Sequence, residues 1–525
     1  MFDFRFGPVC ALSAALLSSV AVLAQDTPAS NDFDQWLKQE QQGFNDFSQQ
    51  SAQNYQGFVD AADAEFVRWL GQAWQEYRQV AARVRDPAPK PAEQPAAQSA
   101  PEITAAAKPA PAVAALARQP VAVTPPSPVD AKALPANAKA LPANTKALPV
   151  NAISISFYGH ALALSRWPII LPVMTDLTPP TIASAWAAMA KSAYPPVLAN
   201  VKQACKQAAC GDWALLQLVR NYAAKLAPQD PQQQTFMAWF LADKLGLSVR
   251  GGVHIAHMGA APRLILLYHP VQQVFAEPFY RVAGDDYYPL VERGTGTGSL
   301  LTYPGGFNPP ATYHRRPVDL AFTHSLAPAG SSAVRALQWR EGAQTQQLAL
   351  AYSAERAHFF NSYPQIELVH YFNAPLAPDL VRSAQSALAP HLQNKSPLQQ
   401  AATLLALVQG LPYLTDEQQF GRENYLMPEQ LLAFPAADCE DRSFFYAALV
   451  KSLLRAQVLG VRYPGHVATA LSTAALGLDS ESLDGSTQFS HNQAHYLLAD
   501  PTYLGAGLGQ QMSRYAAGTG QLIIK

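Results

Sequence analysis

Aromatic side chains recur at a fixed spacing along residues 31–85. One set, Phe33, Phe44, Tyr55, Phe66 and Tyr77, repeats every 11 residues, and so does a second set, Trp36, Phe47, Phe58 and Trp69. Eleven residues are close to three turns of α-helix, so these side chains lie along a nearly straight stripe. The pattern predicts a long amphipathic helix over residues 25–86, with the stripe as a packing seam inside a bundle or between chains. Association through residues 31–80 is the interaction this seam favours.

Residues 87–150 lose this pattern and become rich in proline and alanine. Lys-Ala-Leu-Pro strings begin at Lys132, Lys139 and Lys146, and aromatic side chains are almost absent. A segment of this composition cannot bury a core of its own. It predicts a semi-extended linker between the aromatic helix and whatever follows.

From residue 151 the pattern becomes that of a folded region, first helical and then rich in strands. Apolar residues at helical spacing predict helices over residues 213–226 and 234–244. Short apolar runs between turn-forming pairs predict strands at residues 264–268, 274–280, 348–352 and 366–372. We therefore expect an accessory α+β region over residues 151–377.

Part of this accessory region shows the same order of predicted elements as part of the C-terminal region. Residues 236–250 and 444–462 share the order of an apolar helix, a glycine and a strand. If this shared order reflects a duplication, Pro231 stands where Cys439 stands in the second copy, and the first copy is catalytically degenerate. The order is also a common one, so an unrelated origin is the alternative.

Residues 378–525 bring three polar groups to the ends of predicted elements. Asp438 predicts a helix N-cap, which places Cys439 in the first helical turn. His466 opens a strand after a Pro-Gly turn, and Asp500 closes a later strand. If the two strands are neighbours, the Asp500 carboxylate can accept a hydrogen bond from the His466 imidazole.

Composition narrows the class of protein. The net charge is −1 and charged residues make up 14% of the chain, so a nucleic-acid partner is not expected. Residues 1–24 carry Arg5, an apolar run and a Val-Leu-Ala ending, which is typical of a signal peptide cleaved after Ala24. An uncleaved membrane anchor is the alternative. Export predicts a periplasmic or secreted protein, in which Cys205 and Cys210 can form a disulfide and Cys439 is the odd thiol.

The order Cys439, His466, Asp500 is that of a thiol catalytic triad. In such a triad the thiolate attacks an acyl carbon, the imidazole moves the proton and the carboxylate orients the imidazole. A helix start favours the thiolate, whereas the neighbouring carboxylates disfavour it by like charge. Gln409 is a candidate second oxyanion donor beside the Cys439 backbone N–H. The structural alternatives are a buried cysteine, a lone structural histidine, capping carboxylates and a solvated glutamine.

The strings around these residues resemble the transglutaminase-like superfamily, which shares its catalytic core with papain-type cysteine proteases. Asp-Cys-Glu-Asp at Cys439, Gly-His at His466 and Asp-Pro-Thr at Asp500 match its D-C-x-D, G-H and D-P-T pattern. Ala437 stands where many members have glycine. The resemblance covers roughly residues 378–515 and implies a papain-like α+β catalytic domain.

One periplasmic subgroup of that superfamily binds calcium through acidic residues beside the nucleophile. The resemblance therefore implies calcium ligands at Asp438 and Glu440, whose hard oxygen atoms suit this cation. A bound cation would also relieve the like charge around Cys439. The acyl-transfer chemistry itself requires no cofactor.

Two classes of function remain open. The first is an exported thiol enzyme that acts on amide bonds of proteins or peptides in the cell envelope, as a cysteine peptidase or, alternatively, as a cross-linking glutamine transferase. The second is a non-catalytic envelope scaffold that uses the aromatic helix, the linker and the accessory region for binding. An intact Cys-His-Asp order favours the enzyme.

Overall fold

The structure is a computed structural model, and the described residues combine helices with antiparallel sheets, so the chain is α+β. The predicted signal peptide, most of the aromatic helix and the linker lie outside the described residues. Val67–Lys525 form one compact unit. The structure describes residue 42 and the ranges 61–84, 152–170, 176–254, 261–291, 298–305, 315–328, 330–478 and 483–524.

The predicted aromatic helix does not continue to residue 86. Helix α1 covers residues 61–70 of the described chain and ends where Gly71 begins a turn. Glycine disfavours helix continuation because its backbone has more freedom to lose. Strand β1 follows at Gln75–Tyr77, and Tyr77 pairs with Leu300 in an antiparallel sheet. Tyr77 therefore belongs to a sheet and not to the helical stripe.

A first repeat of hairpin, helices and sheet occupies residues 152–302. Its hairpin and sheet strands are β2 (Ala152–Phe157), β3 (His160–Ser165), β4 (Val249–His254), β5 (Arg263–Tyr268), β6 (Tyr280–Val282), β7 (Asp285–Pro289) and β8 (Leu300–Thr302). Its helices are α2 (Pro179–Ala190), α3 (Pro195–Ala208), α4 (Asp212–Leu226) and α5 (Pro231–Lys244). With β1 added at one edge, the sheet order is β1-β8-β4-β5-β7-β6.

A second repeat occupies residues 333–523. Its strands are β9 (Ala333–Glu341), β10 (Gln344–Tyr352), β11 (Val458–Tyr463), β12 (His466–Ser472), β13 (Gln488–His491), β14 (Ala494–Ala499) and β15 (Gln521–Ile523). Its helices are α6 (Ala354–Phe360), α7 (Leu368–Asn373), α8 (Pro378–Leu392), α9 (Pro397–Gln409), α10 (Asp416–Phe420), α11 (Cys439–Leu454) and α12 (Thr473–Leu476), with a 3₁₀ turn at Gln430–Ala433. The sheet order is β13-β14-β12-β11-β15.

The two repeats share one topology. In the first, α5 leads into β4, which pairs with β5, then β7, then β6, while β8 returns to the free side of β4. In the second, α11 leads into β11, which pairs with β12, then β14, then β13, while β15 returns to β11. The leading hairpins also pack alike, β2 on α4 and β3 on α3, β9 on α9 and β10 on α8. The order of elements shared by residues 236–250 and 444–462 is thus part of a correspondence between the two whole repeats.

Each repeat is built around one helix that is buried on all sides. Helix α11 is buried along residues 439–450, and α5 along residues 236–243. A helix is apolar all round when a sheet covers one side and other helices cover the rest. Helix α11 meets that condition between β11 and β12 on one side and α7 and α9 on the other. Its N-terminal turn, with Cys439, is fixed by this packing.

The predicted elements of the accessory region have mixed outcomes. The helices at residues 213–226 and 234–244 are confirmed as α4 and α5, and the strands at 264–268 and 348–352 as β5 and part of β10. The strand at 274–280 is wrong except at Tyr280, which begins β6. The strand at 366–372 is also wrong, because residues 368–373 form α7. A short apolar run has no periodicity that separates a buried strand from a buried helix.

Candidate active site

Cys439 occupies the first position of helix α11. The Asp438 side chain caps the helix and accepts a hydrogen bond from the Asp441 backbone N–H at 3.4 Å, as the sequence predicts. The Cys439 thiol is 1% exposed and donates to Oε2 of Glu440 at 2.9 Å. The thiol proton is therefore held by the neighbouring carboxylate in this structure.

His466 and Asp500 form a buried pair at the ends of neighbouring strands. His466 opens β12, Asp500 follows β14, and the two strands are hydrogen-bonded neighbours, as expected. Nε2 of His466 lies 2.8 Å from Oδ2 of Asp500. Oδ1 of Asp500 accepts backbone hydrogen bonds from Thr502 at 2.9 Å and Tyr503 at 3.2 Å. The carboxylate is thus held by its own loop and in turn holds the imidazole.

The other imidazole nitrogen, Nδ1 of His466, is buried and has no hydrogen-bond partner among the residues that the structure describes. A buried nitrogen of this kind costs about 1–3 kcal/mol unless a partner reaches it. In a triad this is the nitrogen that serves the nucleophile, since the other is held by the carboxylate. The His466 ring therefore has a vacant proton-transfer position inside the protein.

A side-chain bond brings the start of α11 against the start of β12. Ser443 lies four residues after Cys439, on the same face of the helix. Its hydroxyl donates to the backbone oxygen of Val467 at 3.1 Å, next to His466 in the strand. The nucleophile candidate and the base candidate thus belong to directly packed parts of their elements.

Two tyrosines stack beside His466. The Tyr515 ring is nearly parallel to the imidazole, at 5.9 Å between centroids and an angle of 6°, and Tyr463 stacks on Tyr515 at 4.6 Å. Burial raises the pKa of Tyr515 to about 12, an effect that Arg514 opposes and that the charges of Cys439 and Asp500 support. Tyr515 therefore lies within electrostatic reach of both ends of the predicted triad.

Arg442 supplies a positive charge to this buried region. Its guanidinium donates to the backbone oxygens of Leu411 and Pro501, the latter at 3.4 Å, and lies 5.1 Å from the centre of the Tyr413 ring. Burial lowers the pKa of Arg442 to about 10, an effect that the charges of Tyr413, Asp438, Cys439 and Asp500 oppose. The guanidinium therefore stays protonated at neutral pH and partly offsets the carboxylates.

The structure directs the amide of Gln409, the predicted oxyanion donor, to the loop that carries Asp500. Its Nε2 donates to the backbone oxygens of Asp500 at 3.1 Å, Tyr503 at 2.8 Å and Ala506 at 3.0 Å. Its Oε1 accepts from the Gly505 backbone N–H at 3.3 Å. The side chain is 7% exposed, which also rules out the solvated alternative. Gln409 fastens the loop that carries Asp500.

Three buried carboxylates lie together beside Cys439. One oxygen atom from each of Asp416, Asp438 and Glu440 lies within 4.8 Å of the others. Asp438 and Glu440 are the predicted metal ligands, whereas Asp416 was not predicted. Its sequence signal, a Thr-Asp-Glu helix start, is typical of ordinary capping, and Thr415 indeed caps α10. Oxygen atoms in this number and spacing can contribute to a site for a hard divalent cation.

The predicted disulfide between Cys205 and Cys210 is not formed in this structure, where both residues are thiols. Ala209 ends α3 in the left-handed region with φ of 51°, and the Cys210 N–H donates to the Cys205 backbone oxygen at 2.9 Å. The turn brings the side chains together. A hydrogen bond from the Cys205 thiol lowers the pKa of Cys210, and the Tyr158 hydroxyl lies 3.6 Å from Cys210 Sγ.

The chain matched no family model, no curated protein and no solved structure in three comparisons with known proteins. Within the described residues, no helix has the length and apolar character needed to cross a membrane.

Proposed function

We propose that the second repeat is a thiol enzyme that hydrolyses amide bonds in peptides or proteins through an acyl-enzyme at Cys439. The observation that carries the proposal is the buried His466–Asp500 pair with its unsatisfied Nδ1. A purely structural histidine would be expected to have both nitrogens satisfied. The resemblance to the transglutaminase-like superfamily adds support from the residues flanking all three positions.

The chemistry follows from the roles of these groups. Nδ1 of His466 takes the thiol proton once the thiol leaves Glu440, and the sulfur attacks the carbonyl carbon to form a C–S bond. The imidazolium returns the proton to the departing amine as the C–N bond breaks. Water then attacks the thioester, with His466 as base, and the carboxylic acid leaves while the thiol is restored. Asp500 holds the imidazole and stabilises its charged form throughout.

Oxyanion stabilisation in this proposal comes from the start of α11. The Cys439 backbone N–H lies at the positive end of that helix, where developing negative charge is favoured. Gln409 supports the site indirectly, since it fastens the Asp500 loop.

The test is labelling and turnover in the full chain. Iodoacetamide should alkylate Cys439, as read by peptide mass spectrometry, and His466→Ala should slow alkylation at neutral pH. The matched control is His324→Ala, which changes an exposed histidine. Mass spectrometry of proteins incubated with the wild type or Cys439→Ala then separates products. New termini indicate hydrolysis, and isopeptide-linked peptides indicate transfer. If Cys439 is not labelled and no products form, the result would support the scaffold and contradict the enzyme.

We extend the proposal to calcium at Asp416, Asp438 and Glu440. These residues supply the hard oxygen atoms that calcium prefers, and a bound cation would draw Glu440 away from the thiol by competing for its charge. Calcium should raise the melting temperature of the full chain, and Asp416→Asn should raise the concentration required. Asp484→Asn, an exposed change, is the control. A melting temperature that does not respond to calcium would contradict this part of the proposal.

Export belongs to the proposal as well. The apolar start of the chain, with its Val-Leu-Ala ending at Ala24, supports cleavage there. N-terminal sequencing of the protein purified from cells tests this directly. A mature N-terminus at Gln25 is expected, and an intact Met1 would contradict it.

A further inference from the structure

The first repeat has other residues at the three positions that hold the predicted triad in the second. Pro231 begins α5 behind the capping side chain of Asp230, as Cys439 begins α11 behind Asp438. Arg263 opens β5, as His466 opens β12. Leu290 follows β7, as Asp500 follows β14. The first repeat therefore has no nucleophile, no base and no orienting carboxylate at these positions.

These three residues nevertheless line a cavity. Its volume is about 490 Å³, and Pro231, Arg263 and Leu290 all contribute to its wall. A cleft of this size is within the range of small-ligand sites. The remaining wall comes mainly from α4, α5 and β5, the elements that correspond to α9, α11 and β12. The first repeat thus has a cavity at the positions that correspond to the predicted triad.

The charged side chains that line this cavity are both positive among the residues the structure describes. They are Arg220 and Arg263, and none of the described lining residues is a carboxylate. Nη1 of Arg220 donates to Gln217 at 3.0 Å, and within the described residues neither arginine has a carboxylate partner. Both arginines are exposed, so a ligand can reach them from solvent. Two guanidinium groups without carboxylate partners at one cleft favour an anion.

The rest of the wall suits a peptide. Leu264, Ile265 and Val291 provide apolar surface, while Asn221 and Gln232 provide amide groups beside the arginines. A polyphosphate would gain nothing from the apolar wall, whereas a peptide has carboxylates, amides and apolar atoms together.

We propose that the cleft of the first repeat is a binding site for an acidic peptide segment, with Arg220 and Arg263 holding its carboxylates. The site goes beyond the proposed enzyme activity, since it would select or retain a peptide without reacting with it. Binding there does not depend on whether Cys439 is a nucleophile, so the two proposals can fail separately.

The test is fluorescence anisotropy with the full chain and a fluorescein-labelled hexapeptide that contains two adjacent glutamates. The same peptide with glutamines is the matched probe, and sodium tripolyphosphate is the competitor. We expect the glutamate peptide to bind at least about 10-fold more tightly than the glutamine peptide. The glutamine peptide cannot form charge-assisted hydrogen bonds with the arginines, and these are stronger than neutral ones. Cys439→Ala should bind equally well.

Variants locate the site. Arg220→Ala with Arg263→Ala should weaken binding of the glutamate peptide by about 10-fold or more, whereas Arg340→Ala, an exposed arginine on β9, should leave it unchanged. The double lysine variant keeps both charges and guards against a folding defect, and it should bind with intermediate affinity. Equal binding of both peptides, unchanged binding in the double alanine variant, or tighter binding of tripolyphosphate than of the peptide would overturn the proposal.

Discussion

Removal of the Gln409 amide tests whether this residue holds the loop of Asp500 or serves catalysis directly. The Gln409→Ala change deletes the donor that three backbone oxygens share, at 2.8 to 3.1 Å, and the acceptor for Gly505. The side chain is buried at the end of α9, so water does not readily replace it. The Asp500 and Tyr503 oxygens would keep only their backbone donors, at 3.3 and 3.0 Å, and the Ala506 oxygen would lose its side-chain donor.

The magnitude follows from the number of bonds. The two amide hydrogens and the amide oxygen of Gln409 each contribute about 1–1.5 kcal/mol net to stability. We expect Gln409→Ala to lower the free energy of unfolding by about 3–5 kcal/mol. Gln409→Glu should be at least as damaging at pH 7, because it sets a carboxylate against carbonyl oxygens. Its effect should shrink at pH 5, where a protonated carboxyl can donate one bond.

Urea unfolding followed by circular dichroism measures these differences. Gln393→Ala, an exposed glutamine at the end of α8, is the matched control and should change the free energy of unfolding by less than about 0.5 kcal/mol. An oxyanion donor predicts another result, in which Gln409→Ala keeps its stability and loses only turnover. A Gln409→Ala variant that unfolds at the same urea concentration as the wild type would refute the role in holding the loop.

Three further changes test other features. Arg356→Leu should lower the free energy of unfolding by about 3–5 kcal/mol, because Asp379 and Glu429, each 2.8 Å from the guanidinium, would be buried without a cation; a loss below 1 kcal/mol in urea unfolding would contradict this. Burial lowers the pKa of Lys451 to about 8, whereas the unfolded chain keeps the proton to about pH 10.5, so the unfolded state binds more protons between those values. The contribution of Lys451 to the free energy of unfolding thus rises with pH in that window, by up to about 3 kcal/mol. Urea unfolding at pH 7.5 and 10 should show this rise in the wild type and its loss in Lys451→Met. An equal rise in both proteins would argue against the shifted pKa. Tyr515→Ala uncovers the stacked imidazole and should speed iodoacetamide alkylation of Cys439 several-fold, and an unchanged rate would show that this ring does not limit access.

Local signals predicted the positions of the candidate triad well. The Asp438 cap, the turn before His466 and the proline after Asp500 are short-range features, and each marks the end of an element. The structure places Cys439, His466 and Asp500 at those ends, with His466 and Asp500 in contact.

The contacts within the site depend on distant parts of the chain and were harder to predict. Gln409 reaches a loop about 90 residues away, and Asp416 joins Asp438 and Glu440 only after α10 and α11 pack. Neither relation leaves a periodic or spacing signal in the sequence. The β1 strand was missed for a similar reason, since its partner Leu300 lies far along the chain and the aromatic spacing favoured a helix.

The position of β1 changes what the proline- and alanine-rich segment can do. Residues before this segment pair with β8, Val80 bridges to Phe279 and Arg83 forms an ion pair with Asp286, while β2 on its far side begins the first repeat. Both ends of residues 85–151 are therefore anchored to the same folded body. The segment therefore connects two parts of one folded unit, whose positions do not depend on its length. Its length can vary at little energetic cost, since loop-closure entropy grows only with the logarithm of length.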